Sequence, residues 1–167
     1  RVHFALNKLP EINGIFKDQM KTVFSIGPSI KYQERASDSV KYGTIANNPT
    51  VEFTIPSMIN HEFSPDGKHV LSATIQYAPY HLRDQVWSSK LNEQIKNNAV
   101  RVLDNYIPDF SSLIEATSVL SPKDLEDEFG LTEGNLNHGE MTLDQFFFMR
   151  PTMSTAQYKS PIENLYL

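Results

Sequence analysis

The sequence predicts an α+β domain in which helices lie on one side of a mixed, mainly antiparallel sheet. Short segments of the chain alternate apolar and polar residues, as strands do, while longer segments repeat apolar residues every three or four positions, as helices do. These segments do not follow the regular strand-helix-strand order of a Rossmann domain. The 167 residues, of which 40% are hydrophobic, suffice for one buried core.

The first third of the chain predicts three strands and one helix. Apolar and polar residues alternate over 2–6, a second short strand covers 22–26, and a third covers 50–55 before a proline. Between the last two strands, Ser29 is placed to cap a helix. Gly43 follows that helix at the position that favours a left-handed C-terminal cap. The apolar residues of the helix recur every four positions: Tyr32, Ala36 and Val40.

The remainder predicts two strands and two helices. A tight turn at 64–67 leads into a strand at 70–77, which we expect to pair antiparallel with the strand at 50–55. A further strand is predicted at 113–120. Ser121 then begins a short helix that ends at Gly130. The longest helix precedes these elements and carries an apolar stripe: Leu91, Ile95, Ala99, Val102 and Tyr106.

Composition excludes several classes of function. Lysine and arginine number 15 against 20 aspartates and glutamates, a net charge of -5, so we expect no nucleic-acid partner. The absence of cysteine excludes zinc-thiolate sites and fits a reducing compartment, so an intracellular location, cytoplasmic or organellar, is expected. The sequence contains no P-loop, HExxH or G-x-S-x-G motif. The acidic residues of 124–128 are interpreted as a solvated helix face, and no metal site is predicted.

Both ends of the sequence have strand-like patterns. Alternation begins at Val2, and the chain stops within Leu165-Tyr166-Leu167. We therefore expect a fragment of a larger protein, whose first and last strands belong to sheets partly encoded elsewhere.

The segment 130–151 has an unusual composition, with three glycines interleaved with asparagine and histidine and followed by three phenylalanines and Arg150. Glycines permit close approach to a flat ligand, asparagine and histidine supply hydrogen bonds, and the apolar run would wall a cavity. The alternative is a glycine-rich turn before a short buried helix, with Thr142 and Gln145 forming a capping box. Arg150 would then form a structural ion pair with Glu140 or Asp144.

The five histidines differ in their expected settings. His61 and His69 flank a turn and are expected to be solvated, while His3 lies in an edge-like strand. His138 and His81 remain as candidates for proton transfer near neutral pH. His81 follows Tyr77-Ala78-Pro79-Tyr80, so two phenols and an imidazole would gather near a pocket mouth. The alternative is that these aromatic residues cover a strand end at the surface.

Several long motifs resemble one family. They are LSPKDLEDEFGLTEGNLNHGEMTLDQFFFMRP (120–151), YKSPIENLYL (158–167), VEFTIPSMIN (51–60) and GKHVLSATIQYAPYHLR (67–83). The chain resembles the C-terminal part of phytoene dehydrogenase-related FAD-dependent oxidoreductases over nearly its whole length. The closest subgroup is the one named for a pyridine nucleotide-disulfide oxidoreductase domain.

The resemblance implies a domain organisation and a cofactor. Residues 1–130 would form part of a substrate-binding domain, and 131–167 would return the chain to an FAD-binding domain, ending before that domain's C-terminal motif. FAD is therefore expected in the full-length protein. The chain carries no G-x-G-x-x-G, the turn that holds the cofactor's phosphates, so we expect no FAD on this fragment alone and no activity from it.

The resemblance also implies site residues. His138 is the candidate catalytic residue. The residues expected at the cofactor share small or polar side chains: Asn135, Asn137, Gly139, Gln145 and Arg150. The residues expected at the substrate are aromatic or follow aromatic residues: Tyr77, Tyr80, His81 and Phe147.

Two functions follow from this reading. The first is dehydrogenation, saturation or isomerisation of an isoprenoid or lipid-like substrate in which the flavin carries the chemistry. The alternative is a non-catalytic module of the same architecture that binds a lipid or a partner. An apolar small molecule is the expected partner in the first case, and peripheral membrane contact and a homo-oligomer remain open.

Overall fold

A computed structural model of the chain describes residues 1–137, 142, 143, 146, 149, 152, 155 and 159–166. These residues form five strands, β1 (Val2–Leu6), β2 (Phe24–Ile26), β3 (Val51–Thr54), β4 (His69–Ile75) and β5 (Ile114–Val119). They also form four α-helices, α1 (Ile30–Lys41), α2 (Ser89–Asp104), α3 (Phe110–Leu113) and α4 (Pro122–Phe129). Short 3₁₀ helices cover Lys17–Lys21, Pro56–Met58, His61–Phe63 and Thr132–Gly134. The predicted α+β class is confirmed.

The five strands form one antiparallel sheet in the order β2-β3-β4-β1-β5. The predicted pairing of the strands near 50–55 and 70–77 is confirmed by the β3–β4 ladder. β1 lies between two strands of this same chain, so the expectation that His3 occupies an edge-like strand is wrong. His3 is opposite Ser72 of β4 and Ser118 of β5. The cause is long-range pairing with β5, which alternation within β1 does not reveal.

One face of the sheet forms the hydrophobic core. Phe4 of β1 is fully buried and meets Phe110 of α3 edge to face, with 5.2 Å between ring centroids, a favourable geometry for an aromatic pair. Four residues of the predicted stripe on α2 pack into the same cluster, Leu91, Ile95, Ala99 and Val102, so α2 and α3 cover this face. The fifth, Tyr106, lies beyond the end of α2 and is exposed. The largest fully buried side chains of the cluster include Phe4, Leu6, Ile55, Leu71, Leu103 and Phe110.

The opposite face, here called the polar face of the sheet, carries small or polar residues. Pairing places His3, Ala5, Glu52, Thr54, Val70, Ser72, Thr74, Ala116 and Ser118 on it. Ser72 is buried, and the others are half-buried or exposed. One face is therefore packed by helices and the other carries mostly polar or small side chains, as an antiparallel sheet allows.

The helix boundaries follow from local chemistry. The Ser29 hydroxyl accepts the Tyr32 backbone N–H at the start of α1, 3.1 Å away, and Gly43 follows α1 with φ +62°. α3 was missed because four residues are too few to show a helical period. The predicted strand over 70–77 ends earlier, at Ile75, because Tyr77 has φ +67°, which is incompatible with a strand.

The chain divides into two compact units, residues 1–134 and 135–167. The first contains the whole sheet and all four α-helices. The 3₁₀ helix at Thr132–Gly134 packs on α4, which explains why the first unit extends past Gly130. Among the described residues, no helix combines the length and hydrophobicity needed to cross a bilayer.

Candidate functional site

The candidate site residues divide by position. Tyr77, Tyr80 and His81 lie in the first unit, after β4, and Asn135 and Asn137 lie at the start of the second. The remaining candidates lie outside the described residues: His138, Gly139, Gln145, Phe147 and Arg150.

Tyr80 is bonded to α4. Its hydroxyl donates a short hydrogen bond to a carboxylate oxygen of Glu126, and its backbone carbonyl accepts the Trp87 indole N–H, 2.9 Å away. The bond to Glu126 raises the pKa of the Tyr80 phenol. The same bond, together with one from the Glu133 backbone N–H, lowers the pKa of the Glu126 carboxyl. Tyr80 is therefore neutral and Glu126 is ionised at neutral pH.

His81 lies against Tyr80. The two rings are nearly perpendicular, with centroids 5.0 Å apart, and His81 Nε2 is 3.3 Å from Glu133 Oε1. Both members of the His81–Glu133 pair are exposed, so the pair contributes little to stability. Tyr80 and His81 are thus in contact, while the gathering of both with Tyr77 at a pocket mouth stays a prediction. The Tyr77 carbonyl accepts the Ala46 backbone N–H at 3.2 Å.

Glu126 is a residue that the sequence analysis missed. Its Oε1 atom accepts the Glu133 backbone N–H at 3.0 Å, and its Oε2 atom lies 3.3 Å from Lys123 Nζ. Lys123 also pairs with Asp127 at 2.6 Å, and these two carboxylates raise the pKa of its ammonium. Glu126 thus joins the segment after β4 to the turn after α4. On the sequence it is one of four similar acids, and no local signal distinguishes it.

The expectation of a uniformly solvated acidic face on α4 is therefore wrong for two of the acids. Glu126 and Asp124 are half-buried, while Asp127 and Glu128 are exposed. Asp124 accepts the backbone N–H and hydroxyl of Ser121 at 2.8 and 2.7 Å. Burial alone would raise the pKa of Asp124, but hydrogen bonds from Ser121 and Asn92 outweigh it and lower that pKa. Among the described residues, no three histidine or acidic side chains are grouped to hold a metal ion.

Gly134 brings the chain from α4 to the candidate asparagines. Its φ is +67°, and a Cβ there would lie 2.4 Å from the Pro122 carbonyl oxygen. Only glycine permits both the left-handed backbone and this close approach. The chain is therefore held against α4 immediately before Asn135.

Asn135 and Asn137 form a local turn. The Asn135 side-chain oxygen accepts the Asn137 backbone N–H at 2.8 Å, an Asx-type arrangement. Asn135 is half-buried and Asn137 is exposed. The Asn135 side-chain oxygen is engaged in this bond, so this side chain would contact a ligand by donating hydrogen bonds from its amide nitrogen.

Comparison with known proteins identifies relatives of greater length. The chain is similar to pyridine nucleotide-disulfide oxidoreductase domain-containing protein 2 of Rattus norvegicus and of Mus musculus, with 35% identity to each over 134 residues. The match covers 80% of this chain and 23% of each relative, so the chain spans less than a quarter of their length. These relatives carry the name of the subgroup that the motifs resemble, so this part of the prediction is confirmed. No protein-family model matches the chain.

Proposed function

We propose that the chain is part of an FAD-dependent oxidoreductase, related to phytoene dehydrogenases, that dehydrogenates, saturates or isomerises an isoprenoid or other lipid-like substrate. The observation that carries the proposal is the 35% identity over 134 residues to rat and mouse proteins whose name includes an oxidoreductase domain. Because the match spans 23% of those proteins, the activity is assigned to the full-length protein.

The chain's own contribution is a substrate-binding domain and the start of a return to the cofactor domain. The polar face of the sheet supports this assignment because most of its residues are half-buried or exposed, so a ligand can contact them. The core face of the sheet is covered by α2 and α3, and this packing fixes the positions of the strands. The substrate domain comprises residues 1–130, and 131–167 form the return segment.

The flavin, when bound, accepts a hydride or its equivalent from the substrate. The groups that hold its pyrophosphate are not in this chain, which lacks a G-x-G-x-x-G turn. The chemistry of Asn135 and Asn137 fits the polar edge of the flavin ring, because amides both donate and accept hydrogen bonds. Gly139 would allow close approach, Gln145 and Arg150 would position the ring, and His138 would hold or move a proton. The chain alone would bind no FAD and show no activity.

On the substrate side, we assign apolar contacts to Tyr77, Tyr80, His81 and Phe147. Tyr80 is held in place by its hydrogen bond to Glu126, and the His81 ring packs against the Tyr80 ring. The Tyr80 hydroxyl is already engaged, so its ring would supply the contact with an apolar substrate.

Flavin content of the full-length protein tests the proposal. We expect the purified protein to show the absorbance of oxidised flavin. Without oxygen, an isoprenoid that is dehydrogenated should bleach this absorbance, one that is saturated should restore it in chemically reduced protein, and one that is isomerised should be converted without a net change in it. A flavoprotein that does none of these with an isoprenoid or other lipid contradicts the substrate class, and a protein without flavin contradicts the proposal as a whole. Lipid binding without flavin would identify the non-catalytic module instead.

A variant pair tests the cofactor side of the assignment. Asn135→Ala combined with Asn137→Ala should raise the dissociation constant for FAD about tenfold, the effect of losing hydrogen bonds. Asn13→Ala removes an exposed amide elsewhere and should leave FAD binding unchanged. Equal FAD affinities for the double variant and the control would remove both asparagines from the cofactor site.

A further inference from the structure

A groove of about 400 Å³ lies between α1 and the loop at residues 47–48. One wall is a face of α1, and its base includes Ala36, which is 4% exposed. The small side chain of Ala36 leaves the space that a larger residue would fill. None of the described residues assigned above to cofactor or substrate lines this groove.

Both walls of the groove are anchored. The Tyr32 hydroxyl donates to the Pro49 carbonyl oxygen at 2.9 Å, which ties α1 to the loop. Arg101 of α2 donates a short hydrogen bond to the Asn47 carbonyl oxygen and a second, 3.3 Å long, to the Asn48 side-chain oxygen. The groove is therefore formed by two elements that are each bonded to the protein body.

The lining is positive in a protein whose net charge is -5. Lys31 and Arg35 line it, the other lining residues are hydroxyl, amide or alanine side chains, and no carboxylate lines it. Asp38, an acid of the same helix, is paired with Lys41 at 2.7 Å. Within the part of the chain that the structure describes, neither Lys31 nor Arg35 forms an ion pair.

The groove also offers several hydrogen-bond donors. Because the Asn48 side-chain oxygen accepts from Arg101, its amide N–H groups are left to donate. A guanidinium, an ammonium and an amide together offer more donors than the two oxygens of a carboxylate can accept. A phosphate monoester has three terminal oxygens and a charge of about -2 at neutral pH, which matches the two cations. Arginine binds such a group through two parallel hydrogen bonds.

We propose that this groove binds a phosphate monoester, with Lys31 and Arg35 as its charged contacts and Asn48 as a neutral donor. The phosphate belongs either to a small soluble molecule or to a lipid headgroup. The groove goes beyond the proposed oxidoreductase function and does not depend on it.

Calorimetric titration of the full-length protein tests the proposal, with glycerol 3-phosphate as the soluble probe. Sedimentation with phosphatidylcholine vesicles, with and without phosphatidic acid, distinguishes a lipid headgroup from a soluble phosphate. Arg35→Gln and Lys31→Gln should each weaken binding at least about tenfold, as loss of a charged hydrogen bond does. Lys90→Gln removes an exposed cation outside the groove and should leave affinity unchanged.

Each outcome either supports or contradicts the proposed phosphate site. Binding of either probe that is weakened by the groove variants but not by Lys90→Gln supports the site, and the responding probe identifies the source of the phosphate. Binding that Arg35→Gln and Lys31→Gln do not alter overturns the site. Failure of both probes to bind at concentrations up to about 10 mM also overturns it. Because all three substitutions are at exposed positions, we expect the variants to fold, and circular dichroism checks this.

Discussion

Gly134 and Gly67 show how one residue type serves two purposes. Both have a left-handed backbone, with φ of +67° and +76°. A Cβ at Gly134 would lie 2.4 Å from the Pro122 carbonyl oxygen, whereas nothing lies within 4 Å of one at Gly67. Gly67 therefore supplies backbone freedom to a turn, and Gly134 also permits a close contact with α4.

Alanine substitutions separate these two effects. Gly67→Ala should reduce the free energy of unfolding by about 1 kcal/mol, the cost of a left-handed backbone for a residue with a Cβ. Gly134→Ala should reduce it by at least about 2 kcal/mol, because the backbone at α4 must also shift. Urea unfolding followed by circular dichroism measures both values. Equal losses would show that the contact with Pro122 has no energetic consequence.

His69 has a specific partner, contrary to the expectation that it is solvated. Its Nδ1 atom lies 2.9 Å from the hydroxyl of the fully buried Ser57, which also accepts the Val70 N–H. Burial, reinforced by the charge of Lys17, lowers the pKa of His69 from 6.5. A neutral imidazole with an unprotonated Nδ1 can accept a hydrogen bond from the Ser57 hydroxyl, whereas the protonated imidazole cannot accept one.

This arrangement makes stability depend on pH. Because the folded-state pKa of His69 is below its unfolded value, the contribution to stability is present above pH 6.5 and is lost as pH falls through the folded-state pKa. We expect the free energy of unfolding to decrease as the pH falls below 6.5, and His69→Gln to make that decrease smaller. His81→Gln removes an exposed imidazole that is not among the charges acting on His69 and serves as the control. An unchanged pH profile for His69→Gln would contradict this explanation.

At the scale of elements, a serine that precedes a helix does not always cap it. Ser121 and Ser88 both precede a helix, α4 and α2. The Ser121 hydroxyl accepts the Asp124 N–H at 3.1 Å, and Asp124 bonds back to the Ser121 backbone, which completes a capping box. The Ser88 side chain makes no capping bond. The same residue type therefore stabilises one helix end directly and not the other.

Substitution of these two serines tests the difference. Ser121→Ala should lower the free energy of unfolding by about 1 kcal/mol, the usual value for a lost N-cap. Ser88→Ala should change it by less than about 0.5 kcal/mol. Chemical denaturation of both variants provides the comparison. A loss at Ser88 equal to that at Ser121 would show that the hydroxyl bond is not the source of the stability.

Alternation and helical spacing predicted most elements because these periods reflect which face of an element is buried. β1 and β3 bury the residues that the pattern marked as apolar, and α2 buries all of them except Tyr106, which lies beyond its end and is exposed. These patterns did not predict the end of β4, which the backbone conformation of Tyr77 decides. They also did not predict α3, which is too short to show a period.

At the scale of the whole molecule, the buried hydrophobic cluster that the structure describes lies within the first unit. Among the described residues, its members fall between Val2 and Leu113, inside residues 1–134. β5 contributes the outer pairing of β1. The first unit therefore contains both its sheet and the side chains that stabilise it.

Truncation tests whether this unit is autonomous. A chain of residues 1–134 should unfold cooperatively in urea with the circular dichroism of an α+β protein, because it contains the described sheet and hydrophobic cluster. A chain of residues 1–112 lacks β5 and should lose that cooperativity, since β1 would be left unpaired on one side. Absence of a cooperative transition in the 1–134 chain would show that residues 135–167 are required for the first unit to fold.

The candidate site was only partly predictable. The proximity of Tyr80 and His81 follows from their adjacency in the chain, and Asn135 and Asn137 form a turn through a short-range bond. Glu126 and Arg101 were not found, because each acts on residues far away in sequence, Tyr80 in one case and the loop at 47–48 in the other.

The sequence alone determined the α+β class, the positions of most strands and helices, and the ends of α1 and α4. These properties depend on apolar periodicity and on hydrogen bonds within a few residues. Only the tertiary structure decided that β1 lies inside the sheet, that His69 bonds to Ser57, and that α1 and residues 47–48 enclose a positive groove. Those features depend on which distant segments meet, and their energies arise from burial and pairing that no local pattern records.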